Sequence, residues 1–428
     1  MRNEFIDPAL FVRNRQRLAS LMSNNSLAVV NSNDTPPTNA DGTLALPTNS
    51  DLFYLTGVQQ EQSILLLYPE AVDVNHREIL FLREPTALAE IWEGRKLTKE
   101  RARAETGIKT IEWLSAFPVL FHRLMCESET VYLNSNEHKR AVVETETRES
   151  RFVKDTLNRY PLHQYQRLAR LMHTLRVVKS EPEIDLIRKA CQITEDGFRR
   201  VLPFVKPGVN EREIEAEFAH EFIRQGGRFA YLPIIGSGSN ACVLHYLENS
   251  KRCAKGELVL LDVAASFRNY NSDLTRTIPV SGKFTRRQKA VYQAVLRVLR
   301  ASIAGLVPGK TVATWQLEAE QLIERECVDL GLINLQEIRR QTPDRRAVKK
   351  YFMHGLGHPI GLDVHDVGFT TQPMAPGWVM TVEPGIYIPE EKIAVRLEND
   401  VLLTENGPVD LMAGIPIEAE EIESLMRG

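Results

Sequence analysis

The chain has 428 residues, with 53 Lys+Arg against 56 Asp+Glu for a net charge of -3, and is 43% hydrophobic and 25% charged. That length predicts two domains, and the charge balance excludes a nucleic-acid binder that works by neutralising phosphates and a polybasic membrane-surface protein. No apolar run reaches the roughly 18 residues of a membrane span, residues 1–24 hold no apolar signal core, and the five scattered cysteines read as reduced thiols, so a cytoplasmic protein is expected.

In chain order, Asp7–Met22 reads as a helix, Ser26–Asn31, Ser63–Tyr68 and Glu78–Leu82 as buried strands, and Ala87–Trp92 as helical. Strands alternating with helices predict a mixed α/β domain over residues 1–174. A capping box at Ser180-Glu-Pro-Glu183 then opens a long helix, with Ile184, Ile187, Ala190, Cys191 and Thr194 on one stripe. It starts a second domain, residues 175–428. Tyr231–Ala241 fits a strand followed by G-x-G-x-x-A, and Asp262 stands 21 residues later, where a dinucleotide's ribose acid would sit. The next segment weighs against that reading, because Cys242–Lys255 is a poor helix, and a nicotinamide absorbance change on adding NAD would be its test. The reading also leaves four other striped-in polar residues, Asp273, His358, Glu383 and Glu398, without a role.

Those residues belong to a weak internal repeat. Gly256-Glu-Leu-Val-Leu-Leu-Asp262 and Gly377-Trp-Val-Met-Thr-Val-Glu383 each start at a turn glycine and reach an acid six residues on. A second acid follows each, Asp273 at 11 residues and Glu398 at 15. Symmetric hairpins would turn at Phe267–Arg268 and at Glu390–Glu391, setting the acids of each pair face to face. Helices at Pro182–Arg200 and Glu211–Gln225 precede the first half, and helices at Thr285–Leu306 and Thr311–Leu330 the second. Two αα-ββ halves would gather four acids at one centre.

Buried carboxylates are costly unless paired or metal-bound. One alone could pair with Arg276 or Arg396; four at repeated offsets predict a metal site. His354-Gly-Leu-Gly-His358, with His365 close behind, leads into the second pair. Its two glycines disfavour a helix, and Gly355 stands where a zincin carries Glu, so a loop presenting histidines is expected. One His and four carboxylates form a hard, oxygen-rich set suited to Mn²⁺, Mg²⁺ or Co²⁺. Two divalent ions would balance four acids and activate a shared hydroxide, which points to hydrolysis.

These acids and this loop resemble the pita-bread metallopeptidases, and within them the aminopeptidase P (Xaa-Pro aminopeptidase) family most closely. The likeness runs through Leu244–Asn249, Asp273–Thr277, Phe352–His358, Gly361–Gly368 and Thr381–Gly385, and in the first domain through Asn49–Gly57 and Glu90–Arg95. The resemblance implies an N-terminal mixed α/β domain and a C-terminal pita-bread (creatinase/aminopeptidase-like) catalytic domain. It implies a metallo-exopeptidase that removes the residue before a proline, through a hydroxide shared by two ions. Asp262 would hold one ion, Asp273 and Glu398 would bridge both, and His358 and Glu383 would hold the second. Mn²⁺ is the first expectation, with Co²⁺ or Zn²⁺ as alternatives. Glu383 would also shuttle a proton, His354 would bond the oxyanion, and His365 and His245 would orient the substrate. Tyr387 and Arg396 would fix the carboxylates; on their own, these two and His245 read as structural, His245 as a strand histidine. Trp92 is similar to a tryptophan that reaches a neighbouring subunit's site, with a core role as the alternative. The substrate would be a proline-containing peptide, with no nucleic-acid or membrane partner, and the assembly a homodimer or homotetramer.

The chain departs from the pattern at Asn399, where many relatives have an acid, and at Pro359. It also has a short Phe369–Ala375 segment without arginine and a compact Pro389–Lys392 tip. These departures bear on peptide length, so prolidase, restricted to Xaa-Pro dipeptides, is the second reading and a non-catalytic pita-bread binding protein the third.

Overall fold

The computed structural model describes residues 6–342 and 345–427. Two compact units divide it between Arg176 and Val177. The first is a mixed six-stranded sheet, β1 (Ser26–Asn31), β2 (Ile64–Leu67), β3 (Glu78–Leu82), β4 (Thr110–Trp113), β5 (Thr130–Leu133) and β6 (Gln164–Arg167), ordered β4-β3-β2-β1-β5-β6. β1–β2–β3 run antiparallel, while β1–β5–β6 and β3–β4 are parallel. Alternate residues Leu27, Val29, Leu66, Ile79 and Phe81 share a core with Phe121, Leu124 and Met125. The opposite face, Ala28, Val30, Leu65 and Leu80, is buried too, which is why these strands read as unbroken apolar runs.

Helices α1 (Pro8–Leu21), α2 (Ser50–Thr56), α3 (Ala87–Glu93), α4 (Lys99–Thr106), α5 (Phe117–Glu127), α6 (Arg148–Arg159) and α7 (Leu168–Val177) complete this part of the chain. Asp7 caps α1 by accepting the Ala9 N–H at 2.9 Å, with Pro8 in the first turn. α3 exposes Leu88, Ile91 and Trp92; Trp92 is 80% exposed, which overturns a core role for it.

The second unit opens as its capping signal requires. The Glu183 carboxylate accepts the Ser180 N–H at 2.8 Å and starts α8 (Glu181–Val201), whose Ile184, Ile187, Ala190, Cys191 and Thr194 are buried. α8 packs on α9 (Glu211–Arg224). Six strands follow in the first half-domain and its hairpin: β7 (Arg228–Phe229), β8 (Ile234–Ser237), β9 (Leu258–Asp262), β10 (Ala265–Phe267), β11 (Tyr270–Asn271) and β12 (Thr275–Pro279) form two antiparallel three-stranded sheets, ordered β11-β10-β7 and β12-β9-β8. The second half repeats the plan with α10 (Arg286–Ala304), α11 (Val312–Asp329), α12 (Leu335–Arg340), β13 (Val379–Val382), β14 (Gly385–Ile388), β15 (Ile393–Arg396), β16 (Asn399–Thr404) and β17 (Gly407–Asp410). α13 (Ala419–Leu425) ends the chain. Gly256 and Gly377 both adopt left-handed φ, +83° and +89°, ahead of β9 and β13. The architecture is therefore a mixed α/β domain followed by a pita-bread domain of two αα-ββ halves.

Two sequence readings change. β8 pairs antiparallel with β9, and a short 3-10 turn, Gly238–Cys242, follows it. A dinucleotide fold needs a parallel pair joined by a helix, so the glycine fingerprint is a coincidence of spacing. The first hairpin turns at Arg268–Asn269, both at positive φ, rather than at Phe267–Arg268. Thr275, not Asp273, stands opposite Asp262. Among the described residues no helix is long and apolar enough to cross a membrane.

Candidate metal centre

Each carboxylate is delivered by the end of a strand. Asp262 ends β9 behind the buried run Leu258–Leu261. Asp273 lies two residues before β12 and so sits diagonally across from Asp262 on the same face. β13 and β16 pair Val382 with Asn399, and the same register carried one residue on sets Glu383 against Glu398. His358 arrives on a loop rather than a helix, as its glycines require. The loop is stitched to β13: the Thr381 N–H donates to the His358 carbonyl at 2.9 Å, and the His358 N–H donates to Thr381 Oγ1 at 3.1 Å.

The side chains converge. His358 Nε2 stands 3.6 Å from Asp273 Oδ2 and 3.7 Å from Glu383 Oε1. Asp273, His358 and Glu398 each offer an atom within 4.8 Å of the others, so these three could share one ion. His354 Nδ1 is 3.6 Å from Glu383 Oε2. Asp262 joins through Arg396, whose Nη2 bonds its Oδ2, while the buried Asp262 Oδ1 has no hydrogen-bond partner. A buried carboxylate oxygen without a partner, on an acid coupled by charge to Asp273 and Glu398, suits a cation ligand.

Arg396 ties the cage together. It donates to Asp262, to Tyr387 Oη at 2.9 Å and to Thr275 Oγ1 at 2.9 Å, and Thr275 Oγ1 donates to Glu398 Oε2 at 2.6 Å. Tyr387 Oη lies 2.9 Å from His354 Nε2, and His354 Nδ1 lies 2.8 Å from the Gly355 carbonyl. His365 sits edge-on to His358, ring centres 4.3 Å apart, with its own side chain exposed. His245 is exposed in a turn, not in a strand, and close enough to His354 to act on its charge.

The electrostatics favour cations. Burial, then Asp262 and Asp400, pushes the Asp273 carboxyl well above the usual range; burial, then Asp273 and Asp262, does the same to Glu398. Burial, then the Arg396 charge, pulls His354 down to about 3, so its ring is neutral. Burial pushes the Tyr387 phenol up to about 12. Burial works against the Arg396 charge, but Tyr387, Asp262, Glu398 and Glu383 around it outweigh that and raise it. Hard oxygen donors with one imidazole fit divalent metal ions.

Sequence reasoning missed three contributors. Tyr231 Oη, from the residue that opens the glycine fingerprint, donates to Asp273 Oδ1 at 2.6 Å. Thr275 links Arg396 to Glu398. Asp400 accepts the Asp273 N–H at 3.0 Å from beneath the centre. An acid directly after Asn399 was the available signal for the last.

The fold and the site together define a metal-dependent hydrolase. Residues 185–405 match metallopeptidase family M24, and residues 11–132 match the aminopeptidase P N-terminal domain. The Xaa-Pro aminopeptidase of Escherichia coli is 34% identical, over 97% of this chain and 97% of its own. Human Xaa-Pro aminopeptidase 3 is 31% identical, over 93% of this chain and 80% of its own. A zinc-substituted E. coli aminopeptidase P in complex with product superposes with a TM-score of 0.88, at 33% identity over 99% of both chains. The chain belongs to metallopeptidase family M24.

Proposed function

We propose that this chain is a Xaa-Pro aminopeptidase, releasing the N-terminal residue from peptides with proline in second position. The observation that carries the reading is His358 Nε2 facing Asp273 at 3.6 Å and Glu383 at 3.7 Å, inside a cage closed by Glu398 and Asp262. The E. coli and human relatives bearing that name support it.

Asp262, Asp273, His358, Glu383 and Glu398 would hold two divalent ions, with Mn²⁺ favoured by the oxygen-rich donors. Such ions supply Lewis acidity and a water nucleophile that forms near neutral pH. Glu383 is the mobile proton carrier: it takes the proton of the attacking water and hands it to the leaving prolyl nitrogen, a secondary amine that needs one to depart. Arg396 donates to Tyr387 Oη, so the phenol hydrogen points to His354 Nε2 and the ring proton stays on Nδ1. That Nδ1–H is engaged by the Gly355 carbonyl at 2.8 Å, beside Glu383, and would turn from it to the developing oxyanion. Exposed His365 and His245 orient the substrate at the rim. A prolyl nitrogen offers no N–H and its ring fixes φ, so recognition has to come from such a dedicated pocket.

The exposed apolar residues of α3, Leu88, Ile91 and Trp92, support a homodimer or homotetramer. Five free thiols, three of them buried, support a cytoplasmic location. The test compares turnover of a Xaa-Pro dipeptide with that of a Xaa-Pro-Pro tripeptide in Mn²⁺. Both should be cut; activity confined to the dipeptide makes the protein a prolidase.

A further inference from the structure

The segment between β8 and β9 carries His245 with almost no regular structure of its own: one short 3-10 turn, then exposed Val243, His245 and Leu247. One side chain gathers it. Glu211, the first residue of α9, is fully buried. Its Oε1 accepts the Ser237 N–H at 2.7 Å, Ser237 Oγ at 2.8 Å and Asn240 Nδ2 at 3.5 Å. Its Oε2 accepts Tyr246 Oη at 2.9 Å and the Lys251 N–H at 2.9 Å. These donors come from the start, the middle and the end of the segment. A carboxylate at a helix N-terminus with this many donors is well satisfied without a cation of its own. A glutamine there would turn its NH₂ onto two of those donors.

We propose that Glu211 is a positioning residue, which acts through Tyr246 to hold the adjacent His245 against the substrate. On the other flank Leu244 packs with Ala241, Leu260 and Tyr387, so His245 is fixed between an apolar anchor and a charged one. Asn249, at φ +43°, closes the segment by donating to Pro233 O at 3.0 Å and accepting the Ile235 N–H at 3.0 Å. Within Leu244–Asn249, then, His245 is what is presented, and Leu244, Tyr246 and Asn249 do the presenting.

The inference rests on His245 facing substrate, and a double-mutant cycle separates the two claims. Tyr246→Phe removes one hydroxyl without exposing a buried charge. It should raise KM for a Xaa-Pro-Pro tripeptide about tenfold, with kcat within about twofold. Bound Mn²⁺ should stay at the wild-type value, Tm should fall by only about 2–4 °C, and Glu211→Gln should move KM further the same way. In a His245→Ala background, Tyr246→Phe should add less than about twofold. A wild-type KM for Tyr246→Phe, or the same increase in both backgrounds, overturns the positioning role alone. A wild-type KM for His245→Ala overturns the substrate-facing reading and this inference with it.

Discussion

Two glycines in one loop should behave as opposites. A Cβ at Gly357 would lie 1.9 Å from the Thr381 carbonyl oxygen, 2.8 Å from its carbon and 3.1 Å from the buried Trp315 ring. No flexible side chain can yield there, so relieving the overlap needs a backbone shift of about 1 Å. The bonds crossing that point are those joining His358 to Thr381 and the Glu383 N–H to Leu356 O at 2.7 Å. Gly357→Ala therefore displaces His358 and Glu383 together. Overpacking should cost about 1–3 kcal/mol of stability. Mn²⁺ affinity should fall by about 10- to 100-fold and kcat by about 100-fold. Gly355 is the control, since its added methyl would meet only Gln316 Oε1, at 3.9 Å. Calorimetric titration of metal-stripped protein with Mn²⁺, followed by kcat of the loaded enzyme, measures both variants. Wild-type affinity in Gly357→Ala, or a larger loss in Gly355→Ala, would refute the reasoning.

Asp273 and Glu398 have carboxyls raised well above their unfolded values, so the folded metal-free protein binds more protons than the unfolded chain and loses stability as pH rises from about 4 through those raised values. Asp273→Asn should thus raise the metal-free Tm at pH 7, yet abolish the gain from Mn²⁺, which in wild type should reach about 2.7 kcal/mol at 100 times Kd; a lowered metal-free Tm would contradict this. Trp92→Ala should change stability by less than about 0.5 kcal/mol, because the ring is exposed, but shift sedimentation toward smaller species; an unchanged sedimentation profile would remove α3 from the interface.

What could be read from the sequence was whatever depends on local chemistry. Ser180 and Glu183 announced α8, and the paired glycines Gly256 and Gly377 announced both hairpins. The second hairpin's centre follows from symmetry because Pro389–Lys392 closes it evenly. The first slips because Arg268 and Asn269 take the left-handed positions, where asparagine is readily accommodated, and that moves the partner of Asp262 from Asp273 to Thr275. Tyr231, Thr275 and Asp400 escaped because their partners lie 42, 123 and 127 residues away. The first is set by how β7–β8 fold back on the hairpin and the other two by how the two halves face each other, and no periodicity encodes either.

Asp262 and Asp273 come from one half of the pita-bread domain, and His358, Glu383 and Glu398 from the other, with Arg396 clasping Asp262 across the seam. Loading the centre would therefore rivet two halves whose crowded acids otherwise repel. Scarcity of the cation would shorten the life of the protein as well as slow its turnover, since an unriveted seam opens more often to proteolysis.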